Sequence, residues 1–250
     1  MLSVADIEKA FLAAWPALET IEANGWCARF SNGLTRRANS IQSNDPAEDT
    51  DPGERLDRLS ARYDERGLSP VFRVTPLTGR ATFTTLVEQG WQSGEFSLVL
   101  QRPIDATTGI DGACVVTAPD EKAFLKSQKK LQGYNKAQAE TFASIIASLK
   151  APAAGLTFYA EDGTPVASLL CVETGGIGVF LNVVTATDRR RKGYGRRMMN
   201  SALSWLGENG ASQAALQVHG VNAAAIGLYL SLGFEYRYPY HYRRKPEASQ

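Results

Sequence analysis

The chain has 250 residues, with 27 Lys and Arg against 26 Asp and Glu and a formal net charge of +1 at pH 7. That balance argues against a general nucleic-acid binder, which needs a basic surface, and no apolar run approaches the ~20 residues that cross a bilayer, so neither nucleic acid nor membrane is expected as a partner. Three cysteines, Cys27, Cys114 and Cys171, are widely spaced and odd in number; they fit neither a zinc site nor a disulfide framework, and a reducing cytoplasm without a bound metal is the expectation.

The pattern from Ile7 to Trp15, with Phe11 and Leu12, reads as a packed helix rather than a signal segment, because Asp6 and Glu8 interrupt it and no long apolar core follows. Gly25 to Phe30, a Ser31-Asn32-Gly33 turn and Leu34 to Ile41 read as a hairpin. Its second arm holds Thr35-Arg36-Arg37-Ala38-Asn39-Ser40, which reads as a charged edge that discourages strand-to-strand aggregation; lining an acceptor pocket is the other use of the same donors. A carboxylate-rich stretch, Asp45 to Glu54, precedes a helix from Glu54 to Glu65 with Leu56, Leu59 and Tyr63 on one face. Val71 to Thr75 reads as a strand and Thr82 to Gln89 as a helix, followed by Gly90-Trp91. Arg102 to Gly112 is polar and punctuated by Gly and Pro, as a linker would be.

Ala113 to Val116 then reads as a strand, and Pro119 to Leu131 and Asn135 to Leu149 as helices, the second with Phe142, Ile145, Ile146 and Leu149 on one face. Leu156 to Ala160 and Pro165 to Val172 form a hairpin across Asp162-Gly163. The strand Val179 to Thr185 leads into Arg190-Arg191-Lys192-Gly193-Tyr194-Gly195-Arg196, which opens a helix carrying Met199, Ala202, Leu203 and Leu206 on its buried face. At a helix start the first backbone N–H groups lack internal partners and the dipole is positive, and glycines let an anion approach the main chain. The spacing Arg-x-x-Gly-x-Gly is too short for a P-loop and lacks the third glycine of a dinucleotide fingerprint. By themselves, four consecutive cations are equally compatible with a solvated surface. A strand from Ala214 to His219, a helix from Asn222 to Tyr229, and Leu232-Gly233-Phe234 follow.

Arg-x-x-Gly-x-Gly followed about thirty residues later by Asn-x-x-Ala-x-x-Leu-Tyr-x-x-Leu-Gly-Phe resembles the GNAT superfamily of acyl-CoA-dependent N-acetyltransferases. The resemblance runs from about Ala113 to Arg244 and implies an α/β (α+β) fold: a mixed, mostly antiparallel twisted sheet flanked by helices, with two splayed central strands. It implies acetyl-CoA as co-substrate. The pantetheine arm would pair with main-chain groups of Val183, Val184 and Thr185; the pyrophosphate would sit on the amides of Arg191, Lys192, Gly193, Tyr194, Gly195 and Arg196, with Arg190 positioned by the same motif; Asn222 would contact the pantetheine region. Tyr229 matches the tyrosine that protonates the leaving thiolate. Where some members carry a glutamate on the following strand this chain has Gln217, and an amide accepts no proton at neutral pH. The base is then water, His219 or Glu173, with the water route preferred.

The implied activity is transfer of acetyl from acetyl-CoA to a primary amine of a small molecule or peptide by direct attack; the alternative is a non-catalytic acyl-CoA sensor. The first half repeats strand, helix, strand, helix, Gly-aromatic, so the chain reads as a tandem of two GNAT-like domains: a degenerate one over 1–105, a linker over 106–112 and a catalytic one over 113–250. Aligning Gly90 with Gly233 puts Leu86 where Tyr229 stands, and carboxylates replace the cradle, so the first half is not expected to bind CoA. Finally, Tyr236, Tyr238, Tyr240 and Tyr242 alternate along a terminal strand. Such a stripe serves an acceptor amine, a homodimer contact or simple closure of the core.

Overall fold

The computed structural model describes residues 2–105 and 108–246. Helix α1 (Val4–Ala14) starts at a capping box in which Ser3 and Asp6 exchange hydrogen bonds. Strands β1 (Glu19–Ala23), β2 (Trp26–Phe30) and β3 (Ile41–Ser43) follow, then α2 (Pro52–Asp64), β4 (Val71–Val74), α3 (Arg80–Glu88) and a long β5 (Gln92–Pro103). The second half runs β6 (Cys114–Thr117), α4 (Lys122–Gln132), α5 (Lys136–Ala147), β7 (Ala153–Tyr159), β8 (Pro165–Thr174), β9 (Ile177–Thr185), α6 (Tyr194–Glu208), β10 (Gln213–His219), α7 (Ala223–Ser231) and β11 (Glu235–Arg244).

Among the described residues all eleven strands form one sheet in the order β1-β2-β3-β4-β11-β5-β10-β9-β8-β7-β6. The internal echo is visible in the pairing. In each half a parallel pair is joined by a helix, β3 with β4 through α2 and β9 with β10 through α6. The strand that then extends each pair comes from the other half: β11 lies against β4, β5 lies against β10, and β5 and β11 pair with each other in the middle. The ends of the two halves are thus reciprocally exchanged.

Both faces of the sheet are covered, so strand residues alternate between two cores. On β8, Leu170 and Val172 join Phe11 of α1 and Trp15 at its C-cap, Phe124 of α4 and Phe142 of α5, while Leu169 and Cys171 join Met199 and Leu206 of α6. A third core packs α2 and α3, through Leu56, Leu59, Tyr63 and Leu86, onto Trp26, Ile41 and Phe72.

Four readings of the sequence change here. Leu34 to Ile41 is not a strand: Arg36–Ala38 is a single 3-10 turn, and β2 pairs instead with β1 and with the short β3. Side-chain hydrogen bonds replace the ladder, since the Asn39 carbonyl accepts the amides of Ser31 at 2.8 Å and Gly33 at 3.0 Å while its amide donates to the Thr35 carbonyl at 2.7 Å. Second, Gln92–Pro103 is the long strand β5, so a linker expected from Arg102 begins too early; in its turn-like start Ser93 pairs with Arg243, while Gly94 and Glu95 bulge opposite Tyr242. Of the linker 106–112, residues 106 and 107 lie outside the described ones, and Asp111 is tied to Arg197 by an ion pair at 2.7 Å. Third, the tyrosine stripe loses its first member: the register shifts between Tyr236 and Tyr238, leaving Tyr236 exposed while Tyr238, Tyr240 and Tyr242 are buried. Fourth, the acidic stretch folds back as a cap, Asp49 accepting the amides of Ala81 at 2.6 Å and Thr82 at 2.8 Å at the start of α3.

The strand exchange predicts that the halves do not fold alone. Residues 1–112 and 113–250 expressed separately should each show no cooperative thermal transition, because each would bare both edges of a missing central strand, whereas co-expression should restore one. A cooperative transition in either fragment alone would contradict this.

Candidate functional site

Strands β9 and β10 begin side by side and then part. Their parallel pairing covers only Gln213–Leu216 against Ile177–Phe180. Beyond it, Leu181 and Gln217 mark the two sides of an opening. Through the remainder of β9, from Asn182 to Thr185, the strand keeps β8 on one side and is half-exposed on the other. A bulge sits at this point, with Asn182 and Val183 opposite Leu169 and Asn182 in the left-handed region at φ 50°. Asparagine tolerates that conformation better than most residues. The bulge is held from α4: Gln132 donates to the Asn182 carbonyl at 3.1 Å, and the fully buried Gln128 donates to Ser168 at 3.0 Å. Val183, Val184 and Thr185 therefore present an edge of main-chain groups to the gap.

At the end of that edge lies the glycine turn. Arg191 at φ 60° and Gly193 at φ 83° are both left-handed, which turns successive amides into one concavity. Gly193 is the N-cap of α6 and offers no side chain to its first amides, and among the described residues the N–H groups of Tyr194, Gly195 and Arg196 have no main-chain acceptor. A Cβ on Gly195 would meet Leu228 of α7 at 3.0 Å, so glycine there lets the two helices approach. The cations differ in their engagements. Arg190 reaches the Thr185 carbonyl at 3.4 Å, Arg196 donates to the Ser231 hydroxyl at 2.7 Å at the end of α7, and Arg191 and Lys192 stand exposed.

Helix α7 packs against the start of α6. Asn222 caps it, its side-chain oxygen accepting the Ala225 amide at 3.2 Å. Tyr229 lies on the buried face of α7, edge-on to Phe234 with ring centroids 6.0 Å apart. Burial pushes its phenol up to about 12, with the charge of Arg37 partly countering. Leu86, the counterpart of Tyr229 in the first half, is fully buried, and Pro52 opens α2 where the glycine turn opens α6.

On the opposite face, Gln217 and His219 line a cavity of about 350 Å³ together with Thr35, Arg36, Arg37, Glu95, Tyr240 and Tyr242. Thr35, Arg36 and Arg37 thus take the pocket-lining use that stood beside the hairpin edge in their sequence, while Glu95 carries no local sequence signal. Tyr240 donates to the Gln217 carbonyl at 3.1 Å, and the His219 Nε2 lies 2.9 Å from Glu95. The hydrogen bond to His219 holds the Glu95 carboxyl below its ordinary range. Glu173, a candidate base, is at the wrong end of the strand. It pairs opposite Gly178, seven residues before Thr185 or about 23 Å along the strand, and its carboxylate accepts the Gly176 amide.

Behind the cavity a buried network fixes Tyr240. Arg73 is paired with Glu8, both 3% exposed, Tyr238 donates to Glu8 at 2.8 Å, and the Arg73 guanidinium lies 4.1 Å from the centroid of the Tyr240 ring. Burial alone would lower the Arg73 pKa, but the Glu8 carboxylate raises it. Among the described residues no three His, Cys, Asp or Glu side chains converge on a metal-sized site, and no helix is long and apolar enough to cross a membrane.

Known proteins resemble this chain in sequence and in fold. The family described as "Probable histone acetyltransferase Rv0428c C-terminal" matches residues 3–243. A relative from Bacillus subtilis (strain 168), the "Uncharacterized N-acetyltransferase YobR", is 25% identical over 251 residues, covering 98% of this chain and 100% of that protein. Among solved structures, a GCN5-related N-acetyltransferase from Kribbella flavida superposes with a TM-score of 0.72 at 16% identity, over 99% of this chain and 98% of that one. A tandem GNAT protein from the clavulanic acid biosynthesis pathway does so with a TM-score of 0.64 at 11% identity, over 98% of this chain and 89% of that one. With its family matched over nearly the whole length and its fold shared from end to end with these structures, the protein belongs to this acetyltransferase family, within the GNAT superfamily.

Proposed function

We propose that the protein transfers acetyl from acetyl-CoA to a primary amine by direct attack in a single ternary complex, with the second half of the chain holding the cofactor. The observation that carries this is the parting of β9 from β10 beside an uncapped helix start. A strand edge with no neighbour suits the amides of a pantetheine arm, and a ring of unpartnered N–H groups at its end suits the pyrophosphate. In this reading Val183, Val184 and Thr185 pair with pantetheine, the turn from Arg190 to Arg196 receives the diphosphate, and the free amide N–H₂ of Asn222 faces the same arm. The first half, with Asp49 already on a helix start and no phenol at Leu86, has no cofactor site of its own.

The amine nitrogen attacks the thioester carbonyl, the C–S bond breaks, and the products are the N-acetyl amine and CoA thiol. The amine loses one proton, which leaves to solvent through the cavity lined by Gln217 and His219, and the sulfur gains one. Tyr229 faces the sulfur. A phenol raised to about 12 does not simply hand its proton to a thiolate whose thiol titrates at about 8.5. Its role is a hydrogen bond to the sulfur as charge develops, with proton transfer coupled to C–S cleavage and the phenol restored from solvent.

Thermal unfolding against increasing acetyl-CoA tests the cofactor: acetyl-CoA and CoA should raise the midpoint and ATP should not, by about 2.7 kcal/mol at a hundred times the dissociation constant. No response to acetyl-CoA would remove the cradle assignment. The double variant Arg191→Glu with Gly193→Glu should lose that response through charge and backbone strain while keeping the unliganded fold; unchanged affinity would exclude the turn. Tyr229→Phe should lower kcat by about 100-fold or more while changing acetyl-CoA affinity less than about threefold; equal loss in both would make the tyrosine a packing residue. Since burial keeps Tyr229 protonated, kcat should not fall between about pH 8 and pH 10, and a decline in that window absent from Tyr229→Phe would show a phenol of ordinary pKa. Binding without turnover of any amine would favour the sensor reading.

A further inference from the structure

We infer that the acceptor amine carries a carboxylate, and that Arg37, which the first half of the chain delivers to the opening between β9 and β10, is the residue that binds it. This deepens the acyl-transfer reading above and rests on it.

The backbone that carries Arg37 is held with unusual completeness for a surface turn. Arg29, 4% exposed, donates to the carbonyl of Arg37 at 2.6 Å and to that of Trp15. The Trp15 indole donates to Thr35 at 3.0 Å, and Asn39 closes the loop with three hydrogen bonds. Burial lowers the pKa of Arg29, and among the described residues it has no carboxylate partner; a buried cation in that position is tolerated only where its donors are satisfied, here by the backbone it positions.

The Arg37 side chain is different. It is half-buried, and among the described residues its guanidinium has neither a carboxylate within ion-pair distance nor a hydrogen-bond acceptor, whereas Arg36 has Glu95 at 3.9 Å and Arg73 has Glu8. It borders two adjoining spaces. One is the narrow recess with Leu181 and Gln217 at the point where the strands part; the other is the 350 Å³ cavity toward solvent. Its charge is felt at Tyr229, Tyr134 and Tyr242, against the upward push of burial on each phenol. Lining both spaces, Arg37 stands at the point where β9 and β10 part and beside the outer cavity.

A planar guanidinium with five donors and no protein acceptor matches a carboxylate bidentately. A small amino acid held that way keeps its amine within reach of the opening, and the outer cavity has room for its side chain. The alternative of a lysine-rich protein tail fits the charges poorly. Arg36, Arg37 and, in the adjoining 230 Å³ space, Arg244 face such a tail, and the one carboxylate of the outer cavity, Glu95, is already shared by His219 and Arg36.

The test measures CoA release with a panel of amines: the common α-amino acids, their carboxamides, aliphatic diamines and a lysine-rich peptide. The expected result is a carboxylate-bearing acceptor with kcat/KM at least tenfold above its own carboxamide. Arg37→Gln should bring that ratio near one by raising KM for the carboxylate, leaving kcat and stabilisation by acetyl-CoA little changed. Arg37→Lys should recover part of the preference, and Arg36→Gln should retain most of it. The inference is overturned if the wild-type protein, stabilised by acetyl-CoA, acetylates carboxamides, diamines or the peptide as well as it does carboxylates, if it accepts no carboxylate in the panel, or if Arg37→Gln leaves the ratio unchanged. Absence of stabilisation by acetyl-CoA is a separate outcome, which removes the acyl-transfer reading and this inference with it.

Discussion

Everything about this protein depends on β5 and β11 lying side by side in the middle of the sheet. Each is the last strand of its half, and each completes the parallel pair of the other half. Strand pairing of this length closes off the two edges that would otherwise invite aggregation. It also gives the two halves a common register rather than a contact of side chains. Because β5 lies directly against β10, Glu95 is brought to His219. Because β11 lies against β5 and β4, Tyr240 meets both Gln217 and Arg73. The cavity beside the opening between β9 and β10 is thus built from both halves of the chain.

The exchange also makes the first half indispensable to the second, whatever its own residues bind. The first half carries a carboxylate on the start of α3, a proline at the start of α2 and a leucine at the position of the phenol. The rest of the repeat survives as a wall. Its turn at Arg36–Ala38, its strand β4 with Arg73, and its strand β5 with Glu95 all face the second half. The buried pair Glu8–Arg73 stiffens this wall from behind: two charges taken out of water hold each other, and Tyr238 completes the coordination of the carboxylate. Such a pair adds little net stability over an apolar substitute but penalises any arrangement that separates it.

Much of the second half was legible from its residues. The run from Val179 to Gly195 and the run from Asn222 to Phe234 have local causes. Glycines with positive φ, a helix start without a cap and apolar residues at helical spacing act over a few positions, so they read directly. Other elements were hidden for equally physical reasons. The start of β5 is composed like a turn because it is exposed, and its pairing partners lie more than a hundred residues away. The stretch from Leu34 to Ile41 has the composition of a strand edge, but Asn39 and Arg29 satisfy its backbone through side chains.

The sequence by itself determined the glycine turn that opens α6, the phenol on the following helix, the order of strands and helices in the second half, and the different residues at the matching positions of the first, because each of these is written in neighbouring residues. Only the tertiary structure decided which strands meet and, through that, which side chains face the gap. Hydrogen-bonding edges are alike in every strand, so their choice of partner is settled by the packing of the whole sheet. An arginine reads the same in sequence whether it meets a carboxylate, a carbonyl or no protein acceptor at all. Arg73, Arg29 and Arg37 are one residue type in three such circumstances, separated only by what the fold brings to each.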